Sequence, residues 1–138
     1  MAWWFYALIS ALAAAATAIL AKLGVAGVPS NLATALRTTI VLGCAWAIVV
    51  TAGEQSALKQ LTLRPVVYLA LSGLATAASW LAYFKALALA PVSRVAPIDK
   101  LSLAFTIALS ALVLGESISW KVGLGAALMV AGALITTL

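Results

Sequence analysis

The sequence predicts an all-α, polytopic membrane protein: a bundle of five transmembrane helices built from one domain over residues 1–138. Three observations predict it. Hydrophobic residues make up 66% of the chain and charged residues only 8%, where a soluble domain carries roughly 25% charged residues. A domain this small has too much surface per volume to hide that much apolar area from water, so the surplus must face lipid. The apolar residues also fall into runs of the length, about 20 residues, that carries a helix across about 30 Å of hydrocarbon. Helices are required because lipid offers no partners to open backbone groups.

The first helix is expected at about residues 3–23, with a middle of almost entirely small residues, and Gly24, Gly27 and Pro29 then break the chain. The second covers about 31–52, with Ser30 or Asn31 as its N-cap. A polar stretch, 53–64, holds Glu54, Lys59 and Arg64 and reads as the one long loop. The third helix covers about 66–89, opened by Pro65. Pro91, Ser93 and Arg94 form a short turn before the fourth helix, about 95–114, with Pro97 in its first turn. Gly115, Glu116 and Ser117 make a tight connection, and Ser119 caps the fifth helix, about 120–138.

Several function classes are disfavoured. The chain has no histidine and one cysteine, Cys44, in an apolar run, so disulfide frameworks and Cys/His metal sites are excluded within one chain. Cys44 reads as a small packing residue. No two-carboxylate site and no glycine-rich phosphate loop is present, so an enzyme is not expected and no cofactor is called for. The net charge is +5, but the basic residues are scattered among apolar runs, which argues against nucleic acid as a partner. The opening Met1-Ala2-Trp3-Trp4-Phe5-Tyr6 has no basic residue before Lys22 and reads as an interfacial anchor rather than a cleavable signal.

The informative residues are ions inside apolar runs. Arg37, Lys85, Asp99 and Lys100 sit within or at the shoulder of spans, where each costs a few kcal/mol at the bilayer centre. They should face the bundle interior, pair or snorkel. Threading places all four, with Lys22, toward the same side, so five charges from four helices gather at one depth. One reading is structural: Asp99 pairs with Arg37 or Lys85 and the other lysines reach the headgroups. The other is a basic vestibule for an anionic or zwitterionic solute, with Asp99 as a gate or proton-linked switch. Trp80 and Tyr83 share a face of the third helix and, with Phe84, are candidates to line a solute path or simply to pack.

Small residues mark the fifth helix. Gly125 and Gly132 are seven apart, and Gly123, Ala127 and Ala131 follow at four-residue spacing. Such faces let helices approach closely, either within one chain or between two.

Orientation is not decided by the basic residues, which should favour the cytoplasmic side. Lys59, Arg64 and Lys121 fall on the side of the N-terminus, while Lys22 and Arg94 fall on the other, and counting Lys85 and Lys100 reverses the bias. Charge placement is then either constrained by function or the mark of a chain that inserts both ways.

The run Ser79-Trp80-Leu81-Ala82-Tyr83-Phe84-Lys85-Ala86-Leu87, followed by Ala90-Pro91-Val92-Ser93-Arg94-Val95-Ala96-Pro97-Ile98, resembles the third-to-fourth helix region of EamA-type proteins. The segment Leu114-Gly115-Glu116-Ser117-Ile118-Ser119, with Gly123 and Gly132 beyond it, is similar to that family's closing signature. The opening up to Lys22, and Ser30-Asn31-Leu32-Ala33-Thr34-Ala35-Leu36-Arg37, fit as well, so the resemblance covers essentially the whole chain. It implies a place in the drug/metabolite transporter superfamily, whose larger members hold ten helices as two inverted five-helix repeats. This chain looks like the branch with one repeat, one half of that ten-helix fold. Two copies would then pair, and since five is odd, only opposed copies or an oppositely oriented partner reproduce inverted repeats. The four-helix small multidrug resistance proteins are similar in parts, but carry a glutamate eight residues before a lysine in the first helix; counting back from Lys22 gives Ala14.

The resulting expectation is a secondary transporter of small metabolites, anionic, zwitterionic or neutral, in the cytoplasmic membrane. It works by alternating access as an antiparallel homodimer. Its solute contacts and gates are Arg37, Trp80, Tyr83, Lys85, Asp99 and Lys100, and Gly123, Gly125, Ala127 and Gly132 serve dimer or helix packing. The alternatives are a non-transporting subunit of a larger carrier and a carrier of an amphipathic or lipid-linked headgroup.

Overall fold

The computed structural model describes residues 2–137. All regular structure among them is helical: α1 (Trp3–Gly24), α2 (Ser30–Thr51), a 3-10 helix (Glu54–Gln60), α3 (Leu63–Leu89), α4 (Val92–Asp99), α5 (Leu101–Leu114) and α6 (Trp120–Ile135). Four segments are long and apolar enough to cross a membrane: Trp3–Gly24, Ser30–Thr51, Leu63–Leu89 and Val92–Leu114, the last made of α4 and α5 together. The fifth apolar helix, α6, is shorter at 16 residues. It ends in a turn where the Thr136 and Thr137 hydroxyls donate to the carbonyls of Ala133 and Leu134. Leu138, the expected last helical residue, lies outside the described residues, as does Met1.

Helix starts shift toward the prolines. Pro29 takes the N-cap position of α2 with an extended ψ of 130°, so Ser30 and Asn31 are already helical rather than capping. α3 begins at Leu63, which makes Pro65 its third residue. That is still the first turn, where the missing N–H has no intrahelical partner to lose. Pro91 similarly caps α4, its carbonyl accepting from the N–H groups of Arg94 and Val95, so Ser93 and Arg94 are helical rather than in a turn.

The expected continuous helix over 95–114 is broken. Pro97 sits inside α4 and cannot donate to the carbonyl four residues back. After it the bonding tightens: Lys100 N–H donates to Ala96 O at 3.2 Å, but Leu103 N–H donates to Lys100 O, only three residues back, at 3.0 Å. Lys100, at φ −71° and ψ −8°, ends α4 and begins α5.

The stretch expected as a loop also folds. Gly53 turns the chain at a left-handed φ of 74°, a conformation that glycine reaches without a Cβ penalty, and the 3-10 helix then packs against α2. Gly115 ends α5 in the same way at φ 69°. The Ser119 hydroxyl caps α6 as the sequence predicts, accepting from Val122 N–H at 3.4 Å.

The chain divides into two compact units, residues 20–88 and residues 1–19 with 89–138. In the first, the buried positions are Ala21, Val25, Ala33, Thr34, Phe84 and Leu87. In the second, α6 packs on α5 and on α4, and Ala18, Val95 and Ala133 are buried. Large apolar side chains elsewhere stand open, Leu112 at 82% and Val113 at 74% exposure among them. Such surface is stable against acyl chains and not against water.

Candidate functional site

The site is built from one face each of α2 and α3. On α2, Ala33 and Thr34 are buried, and Arg37 follows one turn on, at the spacing that keeps residues on one face. On α3, Trp80, Phe84 and Leu87 stand at i, i+4 and i+7, and Phe84 and Leu87 are 2% and 0% exposed. These faces bring the Arg37 Cζ to 3.5 Å from the Trp80 ring centroid. A cation over an indole face gains about 0.5–1 kcal/mol at exposed sites and about 2 or more when desolvated.

The indole is held in turn. Tyr83 meets it edge to face at 5.6 Å and 82°, and Phe84 lies against it at 5.9 Å and 54°. Tyr83 and Phe84 contact each other at 6.4 Å and 72°. Trp80, Tyr83 and Arg37 are half-buried. Among the described residues Arg37 has no ion pair and donates no hydrogen bond. The neighbouring hydroxyls donate within α2, Thr34 to Ser30 O at 2.9 Å and Thr38 to Thr34 O at 2.8 Å. The unit's one carboxylate, Glu54, lies past the far end of α2 in the 3-10 helix.

The other ionic candidates are placed differently. Lys85, expected to face the interior, pair or snorkel, is exposed one turn before the end of α3. A lysine there can reach headgroups with its ammonium while its stem covers apolar surface. Asp99 closes α4 beside Lys100. Its Oδ2 lies 3.1 Å from Nζ of Lys100, with the two side chains 34% and 55% exposed. Neighbours in sequence diverge on a regular helix, and this pair forms where the helix breaks. Arg37 and Lys85 belong to the 20–88 unit, and Asp99 and Lys100 to the other.

On α6, Gly123, Ala127 and Gly132 are exposed and Gly125 is half-buried. A Cβ added at Gly123, Gly125 or Gly132 meets nothing within 4 Å. The side chains that α6 turns inward are instead Ala126, Val130 and Ala133.

Two features went unread in the sequence. Lys22 donates to the carbonyl of the buried Leu87 at 2.5 Å, tying the end of α1 to the last turn of α3. A groove of about 550 Å³ lies between the end of α2, the 3-10 helix and α3, lined by Trp46, Val49, Leu58, Leu61 and Leu69 with Glu54. Its signal was the spacing of Ala57, Leu58 and Leu61 inside a stretch taken as polar loop. Cys44, expected to pack, is exposed.

Apolar helices of spanning length, carrying an arginine on an aromatic platform, define a multi-pass membrane protein. The chain belongs to the EamA-like transporter family, whose profile matches residues 1–138. It is similar to a Sinorhizobium protein described as an uncharacterized transporter in the cobO 3′ region, with 47% identity over 133 residues, covering 96% of this chain and 94% of that one. No solved structure matches significantly.

Proposed function

We propose that the protein is a secondary transporter of small anionic, zwitterionic or neutral metabolites, working by alternating access across the cytoplasmic membrane. Arg37 carries this reading. An arginine within a span costs about 2.5–3.5 kcal/mol on insertion scales. Here it is half-buried against Trp80, and no carboxylate of the 20–88 unit pairs with it. A charge held in an apolar helix and left without a counter-ion is arranged to meet one that arrives. Trp80 and Tyr83 line the path, and Lys85, Asp99 and Lys100 serve as gates.

The working unit is an antiparallel homodimer in which α6 is the fifth span and each chain supplies half of a ten-helix, inverted-repeat carrier. Family membership supports this reading. So do the open surfaces at Gly123, Gly125 and Gly132, which leave α6 room for a closely packed helix from a second copy.

The experiment is reconstitution. Purified protein in liposomes is screened for uptake of labelled amino acids, organic acids and sugars, and the Arg37→Ala and Asp99→Ala variants are compared with it. Uptake should disappear in both, and wild-type rates in both would remove the proposed site. Topology is read separately with Cys44→Ser carrying Ser56→Cys or Ser93→Cys. Both engineered cysteines should label from both faces of the membrane. A single fixed pattern would exclude the antiparallel homodimer.

A further inference from the structure

The pose of Arg37 on Trp80 is more specific than a contact. The guanidinium carbon lies 3.5 Å from the ring centroid, and its C–N bonds are about 1.3 Å long. With one nitrogen aimed at the ring, that nitrogen would stand about 2.2 Å from the centroid, well inside the contact distance of about 3.5 Å between non-bonded heavy atoms. The end-on pose is thereby excluded, and the distance fits a guanidinium stacked along the indole. In the stacked pose the ring covers one π-face and none of the N–H bonds, which radiate parallel to the ring plane.

Those donors are unfilled by the described residues. Neither can they swing freely. Trp80 is braced by Tyr83 and by Phe84, itself 2% exposed, and the arginine rises from the turn after buried Ala33 and Thr34. A planar fork with fixed donors matches two oxygens on one carbon or phosphorus, and it matches them better than it matches a monatomic anion or an amide.

We propose that Arg37 is a bidentate oxyanion site. The solute presents a carboxylate or phosphate edge-on to the guanidinium, and Trp80 is the positioning residue that sets the fork's orientation. This rests on the transporter reading for its context but not for its measurement. It narrows the solute from the wider class above to one bearing an oxyanion, and it excludes neutral solutes.

The test measures binding rather than flux, on the full chain in nanodiscs. Phenylglyoxal modification followed by mass spectrometry reports each arginine separately, and Arg64 and Arg94 act as internal controls. Acetate or inorganic phosphate, compared with chloride and acetamide at matched ionic strength, should protect Arg37 and leave Arg64 and Arg94 unaffected. Whichever of acetate and phosphate protects at the lower concentration assigns the solute group. In melting-temperature titrations, Arg37→Lys keeps the charge but should weaken acetate or phosphate by about tenfold, as loss of one charge-assisted hydrogen bond requires. Trp80→Phe keeps a platform and should retain most of the oxyanion preference, whereas Trp80→Leu should lose it along with Arg37→Lys. Equal protection of Arg37 by chloride or acetamide overturns the proposal, as does full preference in the Arg37→Lys variant. If that variant does not fold, the protection pattern of the unmodified chain decides alone. Oxyanion-selective protection without flux of any solute would sink the transporter reading and leave this site standing. Flux of neutral solutes without selective protection would do the reverse.

Discussion

The Lys22 ammonium donates to the Leu87 carbonyl at 2.5 Å, so the last turn of α1 caps the last turn of α3. The final carbonyls of a helix lack intrahelical donors and carry the negative end of its dipole, and Leu87 is fully buried, where water cannot substitute. Lys22→Met keeps the stem and removes the donor. It should destabilise the protein by about 1–2 kcal/mol, the range for a charged hydrogen bond reduced by competing partners in the membrane. Thermal unfolding in detergent checks this, and an unchanged midpoint would mean that another donor serves Leu87.

Gly115 offers a cleaner test of backbone strain. Its φ is 69° and a Cβ there would touch nothing, so the cost of Gly115→Ala is conformational alone. The expected loss is about 1 kcal/mol. Gly115→Asn should lose less, because asparagine tolerates the left-handed region better. Comparing the two midpoints separates this from a packing effect, which would rank the larger side chain as worse.

Ser119 caps α6 through an exposed, long bond of 3.4 Å. Ser119→Ala should cost about 0.5 kcal/mol, at the low end of measured caps. Ser119→Asp should restore or exceed wild-type stability, since a carboxylate also favours a helix N-terminus. Denaturant titration of the three proteins gives the order.

Pro97→Ala supplies the N–H that α4 lacks and should extend regular bonding through Lys100. Stability should rise, by less than the roughly 3 kcal/mol that an interior proline costs, because the neighbouring backbone has already adapted. Amide hydrogen exchange over residues 96–103 should slow. Unchanged exchange would show that the break is held by something other than Pro97.

Substitutions on α6 report on contacts outside the chain. A Cβ added at Gly123 or Gly132 meets nothing within 4 Å, so the fold of Gly123→Leu and Gly132→Leu should survive. In the proposed pairing, crosslinked dimer in native membranes should fall sharply. A dimer yield equal to wild type would place the contact elsewhere.

Much of this was legible. Spans announce themselves because the length and apolarity of a segment are local properties, and Gly115 and Ser119 act within a few residues of their own positions. The break at Lys100 was not legible for a simple reason. Starting the fourth helix at Val95 puts Pro97 in a first turn, where it is harmless, while starting it at Val92 puts the same residue in the interior. Three residues of boundary error changed the meaning of one proline. Arg37 and Trp80 were both singled out, yet their stacking depends on how α2 and α3 are rotated toward each other, which no single helix encodes. The Lys22 bond ends on a backbone carbonyl, and a carbonyl has no residue type to recognise.

The shortness of α6 carries its own consequence. Sixteen residues rise about 24 Å, and a bilayer's hydrocarbon is about 30 Å thick. As the fifth crossing in the proposed arrangement, α6 is outmatched by the three longer helices α1, α2 and α3, of 22, 22 and 27 residues. In that arrangement the bilayer should thin locally where α6 crosses, at a fraction of a kcal/mol per ångström. Turnover in this protein should then track acyl-chain length, running faster in thin lipid than in thick.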